Sequence, residues 1–232
     1  MLLLFDIDGT LVGSATTAHR DALHGALLEV HGVDAQAIRG PLSPAGRTDG
    51  EIARAILVGA GVGRDVIDER AADVRQACCR IYAQLSTLDL SHTVLPGIPE
   101  LLDWLSRRAR VQLSLLTGNF EPVARCKLDR AGIGEHFPPG QGAFGSDAEA
   151  RAALPAVARA RAGSGGAPHP RERTLVIGDT PRDIACARAD RVRCVAIATG
   201  PHPLDELRDA DAVVADAWEL RGTLERVLEN DA

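Results

Sequence analysis

The chain reads as an α/β protein, a parallel sheet covered on both faces by helices and interrupted near its start by an all-helical insert. Three observations predict this. Residues 1–5 are an unbroken apolar run that stops at Asp6-Ile7-Asp8-Gly9-Thr10, as expected of a buried parallel strand with polar groups at its C-terminal tip. Residues 14–92 carry helical periodicity and no strand pattern. From Val94 onward, strand and helix patterns alternate, which calls for a parallel sheet with helices on both sides. The sheet body is therefore expected to be discontinuous, 1–13 joined to 93–232, with 14–92 as a helical cap.

The first helix is predicted over about 18–33, where Ala22, Leu23, Ala26, Leu27 and Val30 recur at spacings of three and four. The breakers in Gly40-Pro41-Leu42-Ser43-Pro44-Ala45-Gly46 make a loop. Asp49 opens a second helix with Ile52, Ala53, Ile56 and Leu57 on one face, and two more helical stretches follow near 64–85. This block has 8 Arg against 10 acids, a net charge of −2. In the sheet body a helix is predicted over 99–108, then a strand over 111–116 ending in Thr117-Gly118-Asn119. A helix over 122–131, stopped by Gly132, is followed by a short strand at 142–145 and a helix over 149–162. The glycines of 163–168 precede a strand rather than a helix, so they read as a linker and not a phosphate cradle. A strand over 173–177 runs into Gly178-Asp179-Thr180-Pro181-Arg182-Asp183. A helix over 181–189, strands over 192–197 and 212–214, and a C-terminal helix complete the chain.

Composition narrows the function classes. With 232 residues, 45% hydrophobic and 25% charged, the chain has an ordinary globular balance and enough length for a proper core. A net charge of −6 favours neither nucleic acid nor an anionic membrane as partner. Two Trp, one Tyr and four Phe leave little for base stacking. The five cysteines lack metal-type spacing and read as reduced core thiols. No apolar stretch approaches bilayer length, and the N-terminus lacks a basic start before its acids. A cytoplasmic protein, monomeric or homodimeric, is expected.

In open α/β sheets, ligands bind beyond the C-terminal ends of the strands. Three such tips, at Asp6, Thr117 and Asp179, are expected side by side. Asp6 and Asp8 flank Ile7, and a turn at Asp8-Gly9 brings both carboxylates to one point. Two acids there repel unless they share a proton or a cation, so the motif points to a metal or to proton transfer. Asp179 and Asp183, four apart at a helix start, add to a cluster of four carboxylates whose all-oxygen ligation suits Mg²⁺. An isolated Asp-Gly turn, or Asp179 as a helix cap, would be unremarkable by itself; the combination is what carries meaning. Thr117-Gly118-Asn119 offers a hydroxyl and helix-terminal amides to an anion.

Of 26 basic residues besides histidine, only Lys127 is a lysine. In a chain that uses arginine everywhere else, the exception marks a place where a compact ammonium is needed, or a chance survival. At about 1.5 Å rise per residue it stands roughly 9 Å from the helix start, within reach of the same pocket. There it would neutralise the carboxylate of Asp6 and an incoming phosphate.

Asp6-Ile7-Asp8-Gly9-Thr10-Leu11, Leu116-Thr117-Gly118-Asn119 and Gly178-Asp179-Thr180-Pro181-Arg182-Asp183 resemble motifs I, II and IV of the haloacid dehalogenase superfamily. The resemblance spans nearly the whole chain and is strongest to the phosphoglycolate phosphatase and β-phosphoglucomutase-like branch. It implies a Rossmann-like core with a helical cap, and a Mg²⁺-dependent phosphatase acting on a small phosphorylated metabolite. By position, Asp6 would attack phosphorus, and Asp8 would protonate the leaving group and then activate water. Mg²⁺ would bind Asp6, the Asp8 carbonyl and Asp179, supported by Asp183. Thr117, Gly118 and Asn119, with Thr10, would hold the phosphoryl group. Motif III departs from the pattern: 142–151 holds no lysine, so Lys127 is expected to supply that charge, with Arg151 the alternative. Arg47, at a loop-to-helix junction of the cap, could bind a substrate carboxylate or hydroxyl, or simply face solvent. A sugar phosphomutase shares this chemistry. A dehalogenase needs neither Asp8 nor the Asp179/Asp183 pair, and a binding module has no use for four repelling carboxylates.

Overall fold

The computed structural model describes residues 1–13, 17–37 and 43–230; Gly40-Pro41-Leu42 of the predicted loop lie outside them. Five strands form one parallel sheet: β1 (Leu2–Phe5), β2 (Gln112–Leu115), β3 (Thr174–Gly178), β4 (Arg193–Ile197) and β5 (Ala212–Val214). Their order is β2-β1-β3-β4-β5. β1 lies inside the sheet, Leu3 opposite Leu113 on one side and Leu175 on the other. A strand with neighbours on both edges and helices on both faces has no solvent side, which is why residues 2–5 are apolar without alternation and fully buried.

The period of two in β1 sorts its side chains between two cores. Leu3 and Phe5 pack with Leu101 and Leu105 of α4 (Ile98–Ser106), Leu128 of α5 (Glu121–Arg130) and Leu220 and Leu224 of α8 (Ala217–Asn230). Leu2 and Leu4 pack on the other face with Leu154 and Ala158 of α6 (Leu154–Ala162) and Ile184 and Ala187 of α7 (Pro181–Ala189). Between β1 and α4 the chain forms α1 (Thr17–His31), α2 (Asp49–Gly59) and α3 (Arg64–Leu85). They close a third apolar cluster, in which Leu23, Leu27, Leu57, Ile67 and Tyr82 meet Phe120 and Val123 from the sheet body.

Three local expectations need correction. Residues 64–85 form one 22-residue helix, not two stretches, because no glycine or proline interrupts them. The strand expected at 142–145 shrinks to a single bridge between Ala143 and Leu116, since glycines bracket it and weaken strand pairing. The helix expected from 149 starts at Leu154, after a 3-10 turn at Arg151–Ala153. That turn fixes where Arg151 points.

Candidate active site

The strand order sets the tips of β2, β1 and β3 next to one another, so Thr117, Asp6 and Asp179 line one pocket of about 380 Å³. Asp8, Gly118, Asn119, Arg47 and Arg151 also line it, with His19 and Asp49 from the helical insert.

Asp6 continues the parity of Leu2 and Leu4, toward the face covered by α6 and α7. There it meets Arg151, whose Nη2 lies 3.0 Å from Asp6 Oδ2 and also donates to Asp183 Oδ1. Asp183 sits at the third position of α7 in a capping box: Thr180 accepts from its backbone N–H, while the Thr180 N–H and hydroxyl donate to its Oδ2. One oxygen each from Asp6, Asp179 and Asp183 lie within 4.8 Å of one another. Asp179 accepts from the Thr10 hydroxyl at 3.2 Å. Its carboxylate also presses on Gly9, whose φ of +85° and lack of a side chain leave the room. Burial, reinforced by Asp6 and Asp183, pushes Asp179 up to about 8. Burial also raises Asp6, to about 6, against the pull of Arg151 and with a further push from Asp183. Arg151 is held firmly protonated: burial opposes its charge, but Asp183 and Asp6 outweigh it.

Asp8 behaves differently. The chain turns directly after β1, with the Leu11 and Val12 amides donating to Ile7 O, and this swings the Asp8 carboxylate away from the other three. It accepts from Lys127 Nζ at 2.6 and 2.7 Å and from Asn119 Nδ2 at 3.0 Å. Burial opposes its charge, yet the Lys127 ammonium and the hydrogen bonds from Lys127 and Asn119 hold its carboxyl below the usual range. The cluster therefore contains three carboxylates, not the four expected.

The cations are likewise divided in a way spacing does not reveal. Lys127 is buried on α5, which packs on the Phe5 face of the sheet, so its ammonium reaches Asp8 and not Asp6. The charge beside Asp6 comes from Arg151, on the opposite face. Thr10, expected to touch substrate, is wholly buried behind Asp179. Thr117 is buried too, its hydroxyl accepting from the Asn119 N–H at 3.3 Å. Gly118 faces the Arg47 carbonyl so closely that a side chain would collide with it, and its own carbonyl accepts from the Asp49 N–H at 2.8 Å. Arg47 lines the pocket while paired with Glu51 and donating to Ser43 O.

Two residues of the site receive no chemical role from the sequence, although Asp49 closes the Gly46-Arg47-Thr48-Asp49 junction that could face the site. His19 lies within a helical stretch and Asp49 at a helix start, yet both are buried here. The available signal is a histidine on the apolar face shared with Ala22, Leu23 and Ala26.

A family model for haloacid dehalogenase-like hydrolases matches residues 1–189. The chain is a haloacid dehalogenase-like hydrolase. Among curated relatives, a phosphoglycolate phosphatase of Rhodospirillum rubrum is 32% identical over 203 residues, 85% of this chain and 79% of that one. A phosphoglycolate phosphatase of Pseudomonas savastanoi is 28% identical, across 100% of this chain and 81% of its own. Solved structures agree on the fold. A hydrolase from Pseudomonas syringae aligns at TM-score 0.63 and 23% identity, over 97% of this chain and 98% of that one. CbbY from Rhodobacter sphaeroides, solved in complex with phosphate, aligns at TM-score 0.65 and 20% identity, over 94% and 95%. No helix among the described residues is long and apolar enough to cross a membrane.

Proposed function

We propose that this hydrolase is a Mg²⁺-dependent phosphatase that cleaves a small phosphomonoester through an aspartyl-phosphate on Asp6. The observation that carries this reading is the separation of the acids. Asp6 sits with Asp179 and Asp183 at an all-oxygen cluster, while Asp8 stands apart on Lys127 in the same pocket. This separation supports one group taking a cation and a phosphoryl group and the other moving a proton.

The cluster fits a hard dication. Its donors are all carboxylate oxygens, and burial and mutual repulsion raise Asp6 and Asp179 to about 6 and 8, the signature of a site short of positive charge. Asp6, Asp179 and the Asp8 carbonyl would hold Mg²⁺, with Asp183 behind them. When bound, the ion would screen the anionic nucleophile from the anionic substrate.

In the first step an Asp6 oxygen attacks phosphorus and the ester P–O bond breaks, while Asp8 relays a proton from the Lys127 ammonium to the departing alkoxide. In the second, Asp8 takes a proton from water and returns it to Lys127, the water oxygen attacks phosphorus, and inorganic phosphate leaves Asp6. Arg151 partly neutralises Asp6. Its Nε, buried and without a partner among the described residues, is a donor for a phosphoryl oxygen. Thr117, Gly118 and Asn119 contribute the other side of that pocket. Residues 14–92 serve as a cap over it, with Arg47 on the leaving-group side. By analogy with the matched phosphatases, a short phosphorylated carboxylic acid is the first substrate to try.

The test is Asp6→Asn. It is expected to abolish phosphate release from p-nitrophenyl phosphate and labelling of the protein by radioactive substrate, with an unchanged circular dichroism spectrum. Wild-type turnover in that variant would refute the covalent route.

A further inference from the structure

Lys127 Nζ has three hydrogens and no lone pair, and three groups surround it. Asp8 accepts at 2.6 and 2.7 Å, Asn119 Oδ1 at 2.8 Å, and His19 Nδ1 lies at 3.2 Å. Asp8 and Asn119 belong to the sheet body, as does Lys127 itself. His19 comes from α1 of the helical insert.

The opposite nitrogen of the ring fixes its tautomer. His19 Nε2 lies 3.1 Å from Asp49 Oδ2, which also accepts the Phe120 N–H at 2.7 Å. An ionised carboxylate only accepts, so Nε2 carries the hydrogen. Nδ1 then offers its lone pair to an ammonium that can only donate. The ring is held in place by the edge of Tyr82, whose centroid is 5.7 Å away at an interplanar angle of 74°. His19, Asp49 and Lys127 are all at least nine-tenths buried, so water does not readily replace a lost partner. An ammonium hydrogen left unpaired there turns the side chain toward other acceptors and away from Asp8.

We infer that His19, oriented by Asp49, is a positioning residue that aims Lys127 at Asp8 and thereby sets the proton donor for the leaving group. The inference rests on Asp8 acting as that donor. It makes the insert part of the proton-transfer apparatus: the donor is aligned only while α1 and α2 are seated on the sheet body. His19 itself touches neither the reacting atoms nor Asp6.

A merely structural histidine and a positioning one differ in which substrates suffer when it is lost. An alkyl phosphomonoester expels a poor leaving group and needs the proton, whereas p-nitrophenyl phosphate expels a stable anion without one. The experiment measures kcat/KM, which reports the first phosphoryl transfer, for p-nitrophenyl phosphate and for glycerol phosphate. It compares His19→Leu with His19→Asn, two side chains of similar volume of which only asparagine offers an acceptor near the Nδ1 position. General acid catalysis contributes about 10²–10⁴-fold. His19→Leu is accordingly expected to lose roughly tenfold or more on glycerol phosphate and less than about threefold on p-nitrophenyl phosphate, as order-of-magnitude figures from that range. His19→Asn should recover most of the difference. Lys127→Met should show the same selectivity, and adding His19→Leu to it should change nothing further. If the leucine variant does not fold, His19→Ala carries the same comparison.

Equal losses on both substrates, or additive losses in the double variant, would overturn the inference while leaving the phosphatase reading intact. A wild-type protein inactive on both substrates would overturn the phosphatase reading and this inference with it.

Discussion

Replacing Asp179 by asparagine should make the chelator-treated protein less sensitive to alkali. Burial, then the neighbouring Asp6 and Asp183, raise Asp179 from an ordinary 3.8 to about 8. Between those values the folded protein holds a proton that the unfolded chain has released. Stability must therefore fall as pH rises through that window, by at most about 1.4 kcal/mol per pH unit for one group. From about pH 5 to 8 the loss is bounded at roughly 4 kcal/mol by the same slope. For a chain of this size, 1 kcal/mol moves Tm by about 2–4 °C, so the melting temperature should drop by roughly 3–5 °C per pH unit on account of Asp179. The asparagine side chain does not titrate and removes that slope, and by relieving the repulsion on Asp6 it changes the profile in the same direction. The assay is thermal unfolding from about pH 5 to 8.5 in the presence of a chelator, read as the difference in slope between wild type and Asp179→Asn. Mg²⁺ should also raise the wild-type Tm at about pH 8 and leave the variant almost unmoved. Parallel pH profiles would show that Asp179 is not charge-frustrated, and the argument for a cation at this cluster would lose its basis.

Arg151→Ala removes the cation on Asp6 and a buried, unpaired N–H donor beside it. It should lower kcat/KM by about 10²-fold or more on p-nitrophenyl phosphate as well as on alkyl esters, and a loss confined to alkyl esters would contradict its placement. Asp190→Ala strands Arg159, whose Nε and Nη2 are bound to that carboxylate at 2.6 and 3.1 Å in a buried setting. Breaking such a pair costs about 3–5 kcal/mol, to be read as a lower urea midpoint with activity per folded molecule retained. Ser114 Oγ is buried in β2 without a hydrogen-bond partner among the described residues, so Ser114→Ala should leave stability to urea unchanged or raise it by up to about 1 kcal/mol; a clear loss of stability would mean that the hydroxyl is satisfied.

The sequence was sufficient wherever the physics is local or periodic. Residues 2–5 are apolar on both faces because they pair on both edges, and that alone marks an internal parallel strand. The three-and-four spacing of Ala22, Leu23, Ala26 and Leu27 likewise shows which side of α1 is buried. Asp6, Thr117 and Asp179 were legible as strand tips, since each ends an apolar run. Which side chain meets which acid was not legible, because it depends on the face of the sheet each helix covers. As the lone lysine, Lys127 is the partner the sequence favours for Asp6, with Arg151 second. Only the packing of α5 on the Phe5 face and of α6 and α7 on the Leu4 face sends the lysine to Asp8 and the arginine to Asp6. His19 and Asp49 were hidden for the same reason: their partners in the sheet body lie far along the chain, Phe120 for Asp49 and Lys127 for His19, a separation no periodicity spans. Electrostatic partners are chosen in three dimensions, where a few ångströms of burial decide the energy, and that choice belongs to the tertiary structure.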